Sequence, residues 1–214
     1  MEESAVTPRP APFFVGEHPA LDFLNTVAAP WGEPIEWLGS GRDLLEWLVR
    51  AELVSAAVAQ RTAREQELDA VARRARELRE WFRDFVRKHA GRALTPSAVR
   101  GLDRLNQLLE RDEIYRQLQA IRRPAKGGQW TSPGRVVRWQ WKRRWRTTEA
   151  LLQPIAEAIG DFVCRADFRY VRQCERCTLW FLDVSRGHGR RWCSMAVCGN
   201  RAKAAARRAR ARGL

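Results

Sequence analysis

A chain of 214 residues that is 45% hydrophobic is long enough for one domain with a real core plus a small appended module. No run of about eighteen apolar residues occurs, which argues against a membrane span. The first residues are acidic and lack an apolar stretch, so no secretory signal is expected there. The formal net charge of +14 favours a polyanionic partner.

Residues 1–12 are proline-rich and predict a disordered N-terminus. A helical domain carrying a β-hairpin is expected over residues 13–166. Phe13, Phe14, Val15 and Gly16 lead into Leu21, Asp22, Phe23, Leu24, Asn25 and Thr26, the start of a first helix. Asp22, Asn25 and Thr26 have two readings: contacts to a ligand, or caps and turn hydrogen bonds that fix this helix. Residues 27–39 contain Pro30, Gly32, Pro34 and Gly39 and read as a loop. Ser40 followed by Asp43 marks a helix start, and Leu44, Leu45, Leu48 and Val49 give that helix one apolar face. A short helix is expected over 55–60. The longest follows over 64–89, where Leu68, Val71, Ala75, Leu78, Phe82 and Phe85 recur by threes and fours. Its opposite face, with Arg73, Arg76, Arg83, Arg87 and several acids, reads as solvated surface. Thr95 and Pro96 open another helix that runs to about residue 110.

The pattern then changes. Residues 114–121 and 135–141 alternate as strands do, with a turn at Pro124–Gly128 and an irregular return strand at Pro133-Gly134. The run from Arg138 to Arg146 interleaves Trp139, Trp141 and Trp145 with cations. It reads either as a stacking and phosphate surface for single strands, or as a strand with tryptophans inward and arginines outward. A helix over 147–164 follows, its first turns unsettled by Pro154.

Four of the five cysteines lie close together: Cys174 and Cys177 as C-x2-C, then fifteen residues, then Cys193 and Cys198 as C-x4-C. Two thiol pairs across a short loop can surround one ion tetrahedrally, and thiolate-only sites favour zinc. Between the pairs, residues 179–182 read as a strand, 185–189 as a turn, and Arg191-Trp192 as the return. A redox dithiol is the alternative for Cys174 and Cys177, and His188 the alternative fourth ligand. Cys164 reads as a small buried residue on its helix. Cysteine usage of this kind belongs to a reducing cytosol.

Nine Lys or Arg residues lie between Arg186 and Arg212, and no acid follows Asp183. They account for +9 of the charge and leave +5 for the first 185 residues, which points to nucleic acid or to a solubilising tail. The final helix is expected from Ser194, as cap, to about Arg212. At ~100° per residue, Cys198, Ala202, Ala205, Ala206 and Ala209 share one face. Arg201, Arg208 and Arg212 line one flank, and Lys203, Arg207 and Arg210 the other. Gly199 permits close backbone approach. Asn200 and Arg201 are candidates for base edges, with a local structural hydrogen bond as the alternative for Asn200. Arg190 and Arg191 complete the candidate nucleic-acid contacts.

The run Cys174-x2-Cys177, then Trp192-Cys193-Ser194-Met195-x2-Cys198-Gly199-Asn200-Arg201-x-Lys203, with Phe181, Asp183, Ser185, Arg190 and Arg191 between, resembles the CGNR zinc finger. That finger occurs at the C-terminus of a bacterial family of stress-induced transcription regulators. The pattern Gly16-x4-Leu21-Asp22-Phe23-x-Asn25-Thr26 is similar to the opening of the N-terminal domain that accompanies it. The resemblance implies one structural zinc ion on Cys174, Cys177, Cys193 and Cys198, DNA binding, and an N-terminal domain over 13–166 that senses a signal or mediates assembly. The expected fold class is mainly α with a β-hairpin: a helical N-terminal domain and, over 167–214, a small treble-clef-like zinc finger with a basic C-terminal helix. No catalytic constellation is evident, so no enzyme is expected. Candidate partners are DNA, a small-molecule inducer and a second copy of the chain. No membrane partner is expected, and the location expected is the bacterial cytoplasm, at the nucleoid. An RNA- or ribosome-associated protein and a zinc-stabilised protein-interaction module are the rival readings.

Overall fold

The computed structural model describes residues 9–120 and 137–211. Within them the fold is mainly helical with three separate antiparallel strand pairs. Helix α1 (Pro19–Leu24) is capped by His18, whose Nδ1 accepts the Ala20 N–H at 3.2 Å. The stretch read as a loop holds a minimal ribbon, β1 (Val27–Ala28) against β2 (Ile35–Glu36). Two residues per strand are too few to show alternation. Residues 9–12, expected to be part of a disordered start, lie along this ribbon: Trp37 Nε1 donates to Pro10 O at 2.7 Å, and Arg9 pairs with Asp43. Residues 1–8 lie outside the described residues.

The helix α2 (Gly41–Arg50) begins with the capping box that Ser40 and Asp43 predict, both reciprocal bonds being present. Gly41 is required by packing, since a Cβ there would fall 2.3 Å from Leu68 Cβ. After α3 (Ala56–Thr62) comes α4 (Glu65–His89), whose buried face is the core's axis: Leu68, Val71, Ala72, Ala75, Leu78, Phe82, Phe85 and Val86. Its arginines are not all solvated. Arg79 is buried and holds Glu36 at 2.8 and 2.6 Å and Thr26 Oγ1 at 3.0 Å. Arg83 donates to Leu24 O at 2.7 Å, and Arg76 to Leu38 O. Periodicity assigns Arg76 and Arg83 to solvent, yet the N-terminal segment folds back over that side and takes their donors.

The helix opened by Thr95-Pro96 divides into a 3-10 turn (Pro96–Leu102) and α5 (Asp103–Leu109). Strands β3 (Ile114–Ala120) and β4 (Val137–Arg143) pair from Ile114 opposite Arg143 to Ala120 opposite Val137. The turn expected at Pro124–Gly128 and the irregularity at Pro133-Gly134 lie outside the described residues. Trp139 and Trp141, expected inward on one reading, are 64% and 62% exposed. Only Trp145 packs against the core. The root of the ribbon is fixed by Arg143, which grips Asp112 at 2.6 and 2.7 Å and Glu157 at 2.8 Å.

A 3-10 turn (Thr148–Leu152) then feeds α6 (Gln153–Arg165), with Pro154 in the first turn, where its missing N–H costs no helical bond. Phe162 packs edge-on to Phe82 (ring centroids 6.1 Å apart) and against Phe168 (5.2 Å), closing the core between α4 and α6. Cys164 is exposed, contrary to its reading as a buried residue, because it follows Phe162 and Val163 round to the solvent side of α6. No helix among the described residues is long and apolar enough to cross a membrane.

A last strand pair, β5 (Val171–Gln173) with β6 (Trp180–Leu182), sits against α1. One side chain makes two bonds across this joint. The Asn25 amide donates to Trp180 O at 2.9 Å and accepts from Trp180 N at 2.8 Å, so one asparagine replaces a strand neighbour for β6. Thr26 Oγ1 meanwhile donates to Phe23 O at 2.7 Å, closing the end of α1. Truncating Asn25 to alanine leaves two buried backbone groups unpaired, at a cost of about 2–4 kcal/mol. Urea unfolding of the zinc-loaded Asn25→Ala protein should show this loss. A change below ~1 kcal/mol would mean that the amide does not hold the two parts together.

Candidate metal centre and the basic helix

The loop between β5 and β6 is the first cysteine pair. Cys174 N donates to Leu179 O at 2.9 Å, which folds residues 174–179 into a knuckle with Cys174 and Cys177 buried. The strand partner of Trp180–Leu182 is therefore Val171–Gln173, ahead of the knuckle, and not a return strand at Arg191-Trp192. Arg191 comes back instead to Glu175, its carbonyl accepting from Glu175 N at 3.2 Å and its guanidinium pairing with the carboxylate.

Asp183 fastens the long loop. Its side chain is fully buried and accepts from Ser185 N (3.0 Å), Ser185 Oγ (2.5 Å) and Arg190 N (2.8 Å). Burial pushes this carboxyl up, but the bonds from Ser185 and Arg190 outweigh it and hold the pKa below the usual carboxylate range. His188 adopts a left-handed backbone (φ 46°) and stacks on Tyr170 at 3.5 Å, with Nδ1 2.8 Å from Asp183 O. It closes the loop and stands apart from the cysteines, so it is not the fourth ligand.

The second pair is set by a five-residue π turn (Met195–Gly199) that opens the last helix, α7 (Asn200–Ala211). Cys198 N and Gly199 N both donate to Ser194 O at 3.0 Å. This wide turn brings Cys198 round towards Cys193. Gly199 is buried beneath the Met195 side chain, so the close approach it allows is internal.

The ligand atoms of Cys174, Cys177, Cys193 and Cys198 all lie within 4.8 Å of one another, and all four residues are buried. Cys177 Sγ and Cys193 Sγ are 3.8 Å apart, far beyond a disulfide bond. A tetrahedron of ~2.3 Å zinc–sulfur bonds has edges of about 3.8 Å. The donor set and its spacing thus fit one structural zinc ion, with no position left open for chemistry. The thiols also need the cation. The bond from Cys193 brings the Cys177 thiol down to about 5. Cys193 is pushed up by that same bond and by burial, and Cys198 is pushed up to about 12 by burial and the neighbouring thiolate. One thiolate forms readily; four do so only around a positive charge.

Apolar side chains surround the knot: Leu179 and Phe181 from the finger, and Ala28 and Trp37 from the helical part, with Phe13, Val15, Ile35 and Trp192 at the edge. Polar contacts add to it. Leu182 N donates to Gly16 O at 3.0 Å, and Ala29 N to Thr178 Oγ1 at 3.0 Å. These long-range contacts escape a reading of local pattern.

The candidate nucleic-acid residues divide into two groups. Arg190 turns inward, bonding Glu17 (2.7 Å), Trp192 O (2.9 Å) and Cys193 O, with its guanidinium over Phe181. Arg191 pairs with Glu175, and Arg201 donates to Pro30 O at 2.6 Å. In contrast, Asn200, Lys203, Arg207 and Arg208 are exposed, and among the described residues none has a hydrogen-bond or ion-pair partner. The side chains of Ala205, Ala206, Ala209 and Arg210, and the whole of Arg212, lie outside the described residues.

The molecule is thus a helical domain with a zinc-closed finger docked on its N-terminal segment. Comparison with known families agrees. The family model described as "Putative stress-induced transcription regulator" matches residues 17–166, and that described as "CGNR zinc finger" matches residues 170–211. The chain belongs to this family of transcription regulators and carries the CGNR finger at its C-terminal side. No curated protein matches it.

Asp22 faces the same joint. It is buried, its Oδ1 accepts from Gly16 N at 2.8 Å, and burial raises its pKa to about 6 against the bonds from Gly16 and Val15. Because the folded pKa lies above the unfolded one, the folded state holds the extra proton between about pH 4 and 6. Stability from this group is full at low pH and is lost as pH rises through 6. The stability of Asp22→Asn relative to wild type should therefore rise between pH 4 and 7, by at most about 3 kcal/mol. Denaturant midpoints of the two zinc-loaded proteins across that range test this. A difference independent of pH would place the carboxyl in solvent.

Proposed function

We propose that the chain is a DNA-binding transcription regulator whose α7, held by the zinc knot, lies on duplex DNA. The single observation that supports this most is the row of exposed, unpartnered Asn200, Lys203, Arg207 and Arg208 on a helix rooted in a rigid metal site, in a segment without acids. Lys203, Arg207 and Arg208 neutralise phosphates, and Asn200, in the first turn, reads a base edge through its amide. Arg201 is taken up by Pro30 and orients the helix. Arg190 serves the knuckle in the same way. The helical domain receives the signal, as a small-molecule inducer or through a second copy of the chain. Work of this kind belongs to the bacterial cytoplasm, at the nucleoid.

Selection of bound sequences from a random duplex pool supplies the preferred site, and two substitutions then separate reading from attraction. Asn200→Ala should cost about 1–3 kcal/mol on that site and little on other sequences. Arg208→Ala should weaken all sequences alike and reduce the log–log salt slope by about one unit. Enrichment of structured RNA over duplex at matched salt would favour an RNA-associated protein. Loss of zinc from Asn200→Ala would make the asparagine structural.

A further inference from the structure

The β3–β4 ribbon is the part of the molecule that the finger does not explain. Between Glu113 and Glu149 the sequence holds ten Lys or Arg residues and no acid, a density comparable to that of the finger and tail. The remaining residues up to 185 carry 20 basic and 25 acidic side chains, so the body is mildly acidic and the ribbon stands out from it. In the described strands every residue of β3 is exposed, and most of β4.

Register sorts the side chains. Leu118 lies opposite Trp139, and Arg116 opposite Trp141, so both tryptophans share one face. They are two residues apart, which spaces them by about 6.6 Å along the strand. The Arg116 guanidinium rests over the Trp141 ring at 4.5 Å. The other face carries Arg138 and Lys142, with Arg144 over Tyr115 just beyond the strand. The ribbon cannot swing freely at its root, because Arg143 is locked to Asp112 and Glu157. An apolar face this open normally has an occupant. A second copy paired through the tryptophan face would bring two Arg116 side chains into one interface, and one paired through the other face would do the same with Arg138 and Lys142, which like charge opposes in either case. A strand of nucleic acid supplies negative charge for the cations and flat bases for the tryptophans.

We infer that the β3–β4 ribbon is a second nucleic-acid contact, with Trp139 and Trp141 stacking on unstacked bases on one face and Arg138, Lys142 and Arg144, on the other, taking phosphates where the strand passes round the unpaired edge of β4. This rests on the reading of the protein as a nucleic-acid binder and adds a separate surface to it. Unstacked bases come from a single strand or from a kinked duplex step.

Zinc-loaded full-length protein, titrated with labelled single-stranded and duplex oligonucleotides over a salt series, tests the inference. The triple variant Arg138→Gln, Lys142→Gln, Arg144→Gln should lower the log–log salt slope by about two to three units. The pair Trp139→Ala and Trp141→Ala should keep the slope and lose affinity by about 5- to 150-fold for each base contact. Loss on the single strand alone assigns unpaired bases, and loss on both forms assigns an unstacked duplex step. A control, Arg207→Gln with Arg208→Gln, reports on α7. If the control weakens binding while both ribbon variants match wild type, the ribbon is not a contact and the helix reading stands. If wild type binds neither form, both readings fall. Ribbon variants that change sedimentation of the free protein but not its binding would overturn the inference in favour of a second copy.

Discussion

Four buried thiols confined within 4.8 Å are the constraint on which the C-terminal part depends. Burial and mutual repulsion oppose four thiolates at once, and a divalent cation reverses that balance. The finger is too small to bury a core of its own. Its apolar residues therefore join Trp37 and Ala28 of the helical part around the sulfurs. Metal binding, closure of the knuckles and docking to α1 are in this sense one event. The Asn25 amide, the Gly16 carbonyl and the Arg190–Glu17 pair then fix the angle at which α7 leaves the body.

What could be read from sequence was what leaves a local trace. Metal ligation requires close thiol pairs, so the spacing of Cys174, Cys177, Cys193 and Cys198 was visible. The Ser40–Asp43 box and the apolar period of α4 span a few residues each and were equally plain. Asn25 was legible as structural or ligand-binding, but its partner Trp180 is 155 residues away and nothing local points to it. Arg79 was hidden because an amphipathic helix is expected to keep cations outward. It is inward only because Glu36 and Thr26 arrive from another segment. Alternation in the ribbon revealed strands but not burial. Period two gives two faces, and the structure leaves both in solvent.

Charge is divided to suit this arrangement. Cations that hold the fold, among them Arg79, Arg143, Arg190 and Arg201, face carbonyls or carboxylates at hydrogen-bond distance. Among the described residues, Lys203, Arg207 and Arg208 on α7 and Lys142 and Arg144 on the β3–β4 ribbon face no such group. A residue-type count cannot separate the two groups, because arginine serves both; partner geometry does.

The zinc knot holds the finger, its docking and the root of α7 together. X-ray absorption at the zinc edge of the purified protein measures it directly. The expected result is one zinc per chain with four sulfur neighbours at ~2.3 Å. A shell containing nitrogen or oxygen, or a folded finger without metal, would contradict a four-thiolate zinc site.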